Sequence, residues 1–228
     1  MDAKEINIPI DIPQVRKAPN TVSEAYAFAK TLSRIELFNR TKNVHGHIIE
    51  CGVYKGQGLA TLAHLLYTYK SKVFAKQVFG FDTFSGFKSV SDLDHLERNN
   101  RDGMLGDVSL DLLQKLLYCI SESYNSQDRT MLFPGDACVT IPEFLASDTY
   151  KNTAISLLII DFDLYEPTKT ALKLLEPRVV KGGIIAVDDL YSTAYPGAME
   201  ALREVMDLSK IELQEFDHDP WLAFWQKN

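Results

Sequence analysis

Residues 157–163, which read Leu-Leu-Ile-Ile-Asp-Phe-Asp, constrain the fold more than any other segment. An apolar run of this kind predicts a strand that is buried on both faces of a parallel sheet. In an open parallel sheet, ligands bind in the crevice outside the carboxyl ends of the strands. A second apolar run, residues 183–187, also ends in acids. The two runs therefore predict neighbouring strands that direct Asp161, Asp188 and Asp189 towards one point.

The composition is that of one α/β domain with a sizeable core, since the chain has 228 residues and 46% of them are hydrophobic. The 24 Lys and Arg residues against 31 Asp and Glu give a formal net charge of −7. This charge argues against a nucleic-acid or anionic-membrane partner and favours a small molecule. The sequence shows no secretory signal or membrane-spanning run, and its 3 cysteines lack zinc spacing. We therefore expect a cytoplasmic protein.

The amino-terminal part is expected to be an appendage of the main domain. Prolines punctuate the first twenty residues and predict an extended arm, whereas apolar residues at helical spacing from Thr21 to about Arg40 predict an amphipathic helix. We therefore divide the chain into an arm with its helix, residues 1–40, and a main domain, residues 41–228. Strand-like and helical runs alternate in the main domain. They predict a Rossmann-like, mostly parallel seven-stranded sheet with helices on both faces and a C-terminal antiparallel hairpin.

A long polar stretch, residues 86–109, shows no sustained periodicity. It predicts a lid over the open edge of the sheet. Arg98 and Arg101 lie within this stretch. They either grip an acidic substrate or belong to a solvated loop, and the sequence does not choose between these roles.

The glycine-rich segment after the first predicted strand indicates which ligand the sheet binds. The strand ends in Glu50-Cys51-Gly52, and a loop with Gly56 and Gly58 leads into a helix. This is the nucleotide-binding opening of a Rossmann-like sheet, but its spacing matches neither the dinucleotide fingerprint nor a P-loop. A carboxylate at Glu50 would repel a pyrophosphate and can receive an ammonium. The pattern therefore favours S-adenosylmethionine over NAD or ATP, with a purely structural turn as the alternative.

Two further acids follow predicted strands. Asp82 can accept hydrogen bonds from both ribose hydroxyls, or it can cap the turn that follows it. Asp136 can accept the adenine amino group while Gly135 lets the base approach, or it can belong to a plain turn. The candidate cofactor-binding residues are therefore Glu50, Gly52, Val53, Tyr54, Gly56, Gly58, Asp82, Thr83, Ser85, Gly135, Asp136 and Ala137.

The acids of the two apolar runs predict a bound cation. Carboxylates that converge raise one another's pKa unless a cation shares them, and oxygen ligands alone suit Mg²⁺ better than zinc. Asp161 is also placed to act as a general base towards a hydroxyl nucleophile. The alternative is that Asp161, Asp188 and Asp189 only cap helices or lie at the surface. Asp163 either holds the loop or touches the substrate.

The order of these features resembles the macrocin O-methyltransferase family of class I S-adenosylmethionine-dependent enzymes. The resemblance runs from about Ile48 to Trp225, and its most specific parts are Asp-x-Asp-x-Tyr-Glu at residues 161–166 and Gly-Gly-x-x-x-Val-Asp-Asp at residues 182–189. It implies methylation of a sugar hydroxyl, often on a glycosylated natural product, with a divalent cation that is usually magnesium. It also implies metal ligands and cofactor ligands at definite positions: Asp161, Asp188 and Asp189 for the metal, and Glu50, Gly52, Asp82 and Asp136 for the cofactor.

The expected function is therefore Mg²⁺-dependent transfer of a methyl group from S-adenosylmethionine to a hydroxyl of a sugar or glycosylated small molecule, by a homodimer or a higher homo-oligomer. A catechol- or phenol-directed methyltransferase is an alternative, because two adjacent phenolic oxygens chelate Mg²⁺ as a vicinal diol does. A non-catalytic cofactor-binding module is an alternative from a different class.

Overall fold

Strands and helices alternate along the chain, as the predicted α/β fold requires. The computed structural model describes residues 25–69, 75–94, 109–193 and 195–228. The predicted arm, and Arg98 and Arg101 of the predicted lid, lie outside these residues. The helices of eight or more residues are α1 (Ala25–Thr41), α2 (Gln57–Tyr69), α3 (Leu110–Ser123), α4 (Ala137–Ala146), α5 (Tyr165–Leu175) and α6 (Gly197–Val205). The strands are β1 (His47–Cys51), β2 (Val78–Asp82), β3 (Thr130–Pro134), β4 (Ile155–Ile160), β5 (Val179–Val187), β6 (Gln214–Phe216) and β7 (Asp219–Gln226).

These strands form one sheet in the order β3-β2-β1-β4-β5-β7-β6. Strands β1 to β5 are parallel, and β7 is antiparallel to both β5 and β6. The predicted fold class is confirmed, including the C-terminal hairpin. Strand β7 pairs with β5 as far as Gln226, which lies opposite Ile184. The strand order reverses between β1 and β4, and such switch points are where open α/β sheets bind ligands.

The register of the parallel strands brings their carboxyl ends together. Cys51 of β1 pairs with Phe81 of β2 and with Ile160 of β4. Ile160 pairs in turn with Val187 of β5. The residues that follow these four positions therefore leave the sheet at one edge: Gly52, Asp82, Asp161 and Asp188.

Apolar clusters cover both faces of the sheet, which explains why β4 is apolar apart from Ser156 and why every one of its residues is buried. Helix α1 packs against α2 and reaches across to β4, β5 and β7. In the described ranges no helix is long and apolar enough to cross a membrane. The cysteines are free thiols, of which Cys51 is buried and Cys119 is exposed.

Candidate active site

A cavity of about 490 Å³ opens at the carboxyl ends of the parallel strands, where the strand order reverses. The candidate cofactor residues line it, except for Gly56 and Ser85. Among the predicted metal ligands, Asp161 and Asp189 line the cavity and Asp188 does not. The wall also contains residues for which the sequence predicted no role, among them Lys30, Thr31, Arg34, Gln57 and Tyr195.

The glycine loop approaches the acids so closely that side chains are excluded from it. Gly52 has a φ of +87°, and a Cβ there would lie 1.9 Å from the carbonyl oxygen of Asp161. A Cβ on Gly58, in the first turn of α2, would lie 2.2 Å from Oε1 of Glu50. Contacts within the site therefore require both glycines.

Asp82 fixes the backbone of the glycine loop. Its Oδ2 accepts hydrogen bonds from the N–H groups of Val53 and Tyr54, both at 2.8 Å. Its Oδ1 accepts from the N–H of Phe84, also at 2.8 Å. The alternative role as a turn cap is therefore present in the structure, and Asp82 also lines the cavity. Contact of Asp82 with a ribose stays a prediction.

Asp136 is the N-cap of α4. Its Oδ1 accepts from the N–H of Cys138 at 2.9 Å, and its Oδ2 accepts from the hydroxyl of Ser89. Gly135 has a φ of +138°, and a Cβ there would lie 2.8 Å from Cγ2 of Thr140. The turn is thus structurally required, while Asp136, Gly135 and the adjoining Ala137 still line the cavity.

The remaining cofactor candidates, Thr83, Ser85 and Gly56, differ in whether they line the cavity. The hydroxyl of Thr83 donates to the carbonyl of Gly86 at 2.5 Å and accepts from the N–H of Ser85 at 3.2 Å. Thr83 lines the cavity, whereas Ser85 is exposed away from it. Gly56 is also outside, because a Cβ there would meet Cδ1 of Leu113 at 2.3 Å. Gly56 therefore packs against α3 rather than against a ligand.

Glu50 is buried beside Arg34 of α1. Nε of Arg34 donates to Oε1 of Glu50 at 3.2 Å, and the two side chains are 3% and 2% exposed. Burial raises the pKa of Glu50 to about 7, although the charge of Arg34 opposes this shift. Burial lowers the pKa of Arg34, but the negative charges of Glu50 and Asp161 outweigh it and raise that pKa above its usual value. The guanidinium therefore stays charged in the folded protein.

Asp161 receives two cations from α1. Its Oδ2 accepts from Nζ of Lys30 at 2.9 Å and from Nη2 of Arg34 at 3.0 Å. Burial alone raises the pKa of Asp161, but the charges of Lys30 and Arg34 hold it well below its usual range. Nζ of Lys30 also lies 2.5 Å from Oδ2 of Asp188. Burial and the negative charge of Asp161 raise the pKa of Asp188 well above its usual range.

The carboxylates that come together in the cavity are Asp161, Asp163 and Asp189. One oxygen from each lies within 4.8 Å of the others. Asp163 joins the predicted acids in this cluster, while Asp188 lies beside Asp161, with which it shares the ammonium of Lys30. Burial and a hydrogen bond with Asp189 raise the pKa of Asp163 well above its usual range. Metal ligation by any of these acids stays a prediction.

Sequence reasoning missed Lys30 and Arg34. Both lie in the segment predicted as an amphipathic helix, but nothing local indicates that a helix before β1 reaches the acids that follow β4. One signal was available: Lys30 and Arg34 lie four residues apart, so a helix presents both on one face. That face also carries Ser33, whose hydroxyl donates to Asp219 of β7 at 2.6 Å.

A seven-stranded sheet in this order, with a ligand cavity at its switch point, defines a Rossmann-like methyltransferase fold. The family described as Macrocin-O-methyltransferase (TylF) matches residues 30–227. The chain belongs to this family and is therefore an O-methyltransferase by descent, as its resemblance predicted.

Individual relatives agree with this assignment. The chain is 28% identical to demethyldecarbamoylnovobiocin O-methyltransferase of Streptomyces niveus over 197 residues. This match covers 81% of this chain and 67% of the relative. It is 30% identical to the crystal structure of CalS11, a calicheamicin methyltransferase, with a TM-score of 0.84 over 96% of this chain and 87% of that one. An apo structure of CalS11, described as a TDP-rhamnose 3′-O-methyltransferase, is 29% identical with a TM-score of 0.76 over 96% of this chain and 88% of that one.

Proposed function

We propose that this protein is a Mg²⁺-dependent O-methyltransferase that transfers the methyl group of S-adenosylmethionine to a hydroxyl of a sugar or glycosylated small molecule. The observation that carries the proposal is one cavity with two kinds of site. It contains a glycine loop beside the buried pair of Glu50 and Arg34, and it contains the three carboxylates of Asp161, Asp163 and Asp189. The relative described as a TDP-rhamnose 3′-O-methyltransferase supports a sugar as the acceptor.

The residues that follow β1, β2 and β3 fit the methyl donor. Oε2 of Glu50 is buried and has no hydrogen-bond partner among the described residues. The ammonium of the methionine moiety would supply that partner. Gly58 lets the start of α2 lie directly against Glu50, while Asp82 and Asp136 stand at the cavity wall where ribose and adenine are expected.

The residues that follow β4 and β5 fit a hard divalent cation. Carboxylate oxygens are the ligands that Mg²⁺ prefers, and Asp161 and Asp189 would hold it together with Asp188 or Asp163. Bound there, Mg²⁺ would neutralise the converging carboxylates and lower the pKa of a coordinated hydroxyl.

Asp161 is the proposed general base. Lys30 and Arg34 keep its carboxylate ionised at neutral pH, so it is ready to accept a proton. In the transfer, the acceptor oxygen bonds to the methyl carbon, the carbon–sulfur bond breaks with its electron pair passing to sulfur, and the hydroxyl proton passes to Asp161. Because its low pKa makes Asp161 a weak base, we expect proton transfer to accompany formation of the oxygen–carbon bond rather than precede it.

Labelled S-adenosylmethionine tests the proposal. The protein is incubated with sugar nucleotides, glycosides and catechols, with Mg²⁺, with EDTA, and with EDTA followed by excess Mg²⁺. We expect label in a sugar hydroxyl, loss of product in EDTA and its return with Mg²⁺. Full activity in EDTA would remove the metal from the proposal, and product from catechols alone would replace the acceptor class. Binding of the cofactor in calorimetry, with no product from any acceptor, would indicate a non-catalytic module. The homo-oligomeric state stays a prediction.

A further inference from the structure

Two charged atoms at the wall of the cavity are buried without a hydrogen-bond partner among the described residues: Nη1 of Arg34 and Oε2 of Glu50. Their side chains are 3% and 2% exposed, and both residues line the cavity. A buried ionic group with an unsatisfied donor or acceptor is costly. Two such atoms on neighbouring side chains therefore indicate that a ligand supplies the missing partners.

The remaining contacts of this pair fix its orientation. Nε of Arg34 donates to Oε1 of Glu50 at 3.2 Å, and Nη2 of Arg34 donates to Asp161 at 3.0 Å. Within the described part of the chain, Nη1 of the guanidinium and Oε2 of the carboxylate are the atoms of this pair that remain without a partner. A cation and an anion side by side, each with one atom left over, match a ligand that carries an anion and a cation close together.

The start of α2 adds a second attraction for an anion. A Cβ on Gly58 would lie 3.0 Å from Nε of Arg34 and 2.2 Å from Oε1 of Glu50, so a glycine is needed for the helix to begin against the pair. The first N–H groups of a helix and its dipole favour negative charge. A carboxylate beside Arg34 would therefore also be near the positive end of α2, which is 13 residues long.

We propose that Arg34 receives the α-carboxylate of the methyl donor while Glu50 receives its α-ammonium, so that this pair recognises the amino-acid end of S-adenosylmethionine. This inference rests on the proposed function and assigns a binding role to a residue of α1. It places Arg34 in donor recognition as well as beside Asp161. Helix α1 is then a shared wall of the donor site and the acid site.

The contribution of Arg34 to binding of the carboxylate is measured by comparing the affinities of two ligands for two proteins. S-Adenosylhomocysteine and its decarboxylated analogue, which keeps the amino group, are titrated calorimetrically into the wild type and into Arg34→Gln. The glutamine keeps a donor for Glu50 and much of the side-chain volume. We expect the wild type to bind the carboxylate-bearing ligand about ten- to hundredfold more tightly, as for a charge-assisted hydrogen bond, and Arg34→Gln to bind both ligands about equally. Arg40→Gln, in the same helix but outside the cavity, is the matched control and keeps the wild-type preference.

Arg34→Lys extends the test if the glutamine variant does not fold. Lysine keeps the charge but lacks the planar fork that reaches Glu50, Asp161 and a ligand at once, so we expect a preference that is reduced but present. Equal binding of both ligands by the wild type, or the full wild-type preference in either Arg34 variant, would overturn the inference and leave the proposed function standing. Failure of the wild type to bind either ligand would overturn both.

Discussion

The strand ends of the sheet fall into two halves that hold their acids in different ways. In the donor half, after β1, β2 and β3, the carboxylates of Asp82 and Asp136 accept hydrogen bonds from backbone N–H groups nearby in the fold. In the acid half, after β4 and β5, the carboxylates of Asp161 and Asp188 are held by Lys30, and Asp161 also by Arg34, from a helix more than a hundred residues earlier in the chain. The acids of the donor half are thus held by backbone N–H groups of the turns at the strand ends, and the acid half depends on α1.

This difference has a chemical consequence. A carboxylate that accepts backbone hydrogen bonds shapes a loop, and its charge can remain unchanged throughout a reaction. The carboxylates of Asp161 and Asp188 share Lys30, whose side chain is 22% exposed, and a side-chain cation can be exchanged for a proton or a metal ion by a change of rotamer that leaves the backbone in place. The acid half is therefore the part of the cavity that is suited to changes of charge during catalysis.

The largest effect is expected from Asp161→Asn. Loss of the general base should reduce turnover by about 10²–10⁴-fold, because the acceptor proton then has no carboxylate to receive it. Affinity for S-adenosylhomocysteine should remain nearly intact, since the residues after β1, β2 and β3 are unchanged. Single-turnover transfer of labelled methyl groups measures the first quantity and calorimetry the second.

Asp82→Asn is the counterpart in the donor half. It should weaken binding of S-adenosylhomocysteine more than it slows the transfer step at saturating donor. Wild-type turnover in Asp161→Asn, or a transfer step slowed as strongly by Asp82→Asn, would contradict the division of labour between the halves.

The two halves meet at Gly52, and the second prediction concerns this contact. In Gly52→Ala, a Cβ at 1.9 Å from the carbonyl oxygen of Asp161 must displace the loop or the end of β4. In Gly182→Ala, φ is similar at +82° but the nearest atom is Cγ2 of Val44 at 3.9 Å. The control therefore carries only the backbone strain, about 1–2 kcal/mol. Gly52→Ala should lose about 1–3 kcal/mol more from overpacking, as measured by urea denaturation. An equal decrease in the free energy of unfolding of the two variants would show that the close contact between Gly52 and Asp161 adds no overpacking cost.

The sequence predicts the donor half better than the acid half, because the acids of the acid half are held by side chains of the distant helix α1. Apolar runs with acids at their ends were enough to predict β4, β5 and the cavity edge, because strand burial and strand ends are local signals. Asp82 and Asp136 line the cavity because Asp82 ends β2 and Asp136 lies two residues after the end of β3, and their contacts with a cofactor stay predictions. The position of Asp163 beside Asp161 and Asp189 was not predictable, because it depends on a turn after β4 in which Asp163 has a φ of +64°. The partnership of Lys30 and Arg34 with the acids was missed because it requires knowing where α1 packs.

Glu50 is the exception in the donor half, since a side chain of α1 holds it, and its titration tests this dependence. Burial raises its folded pKa to about 7, above the unfolded value of 4.5. Between these values the folded protein keeps a proton that the unfolded chain releases, so the contribution of Glu50 to stability is present below the unfolded pKa and is lost as pH rises towards 7. From pH 5 to pH 8 the free energy of unfolding of the wild type should fall by about 2–3 kcal/mol relative to Glu50→Gln. If the free energy of unfolding changes with pH in the same way in both proteins, the charge of Arg34 fully offsets the effect of burial on the pKa of Glu50.

Asp94 is the reverse case: it contacts the start of α5, beside the acid half, and it is held by backbone N–H groups. It is buried, its Oδ1 accepts from the N–H of Tyr165 at 2.7 Å, and it thereby caps α5, whose own N-cap position, Leu164, provides no side-chain hydrogen bond. If backbone-held acids shape loops, Asp94→Ala should lower the free energy of unfolding by about 1 kcal/mol, the usual cost of a lost cap. Asp94→Asn keeps an accepting oxygen and should lose less. Urea midpoints measure both variants, and saturating transfer rates close to wild type would place Asp94 with the structural acids. A transfer rate that falls as far as in Asp161→Asn, with the urea midpoint unchanged, would instead place Asp94 among the acids that take part in the reaction.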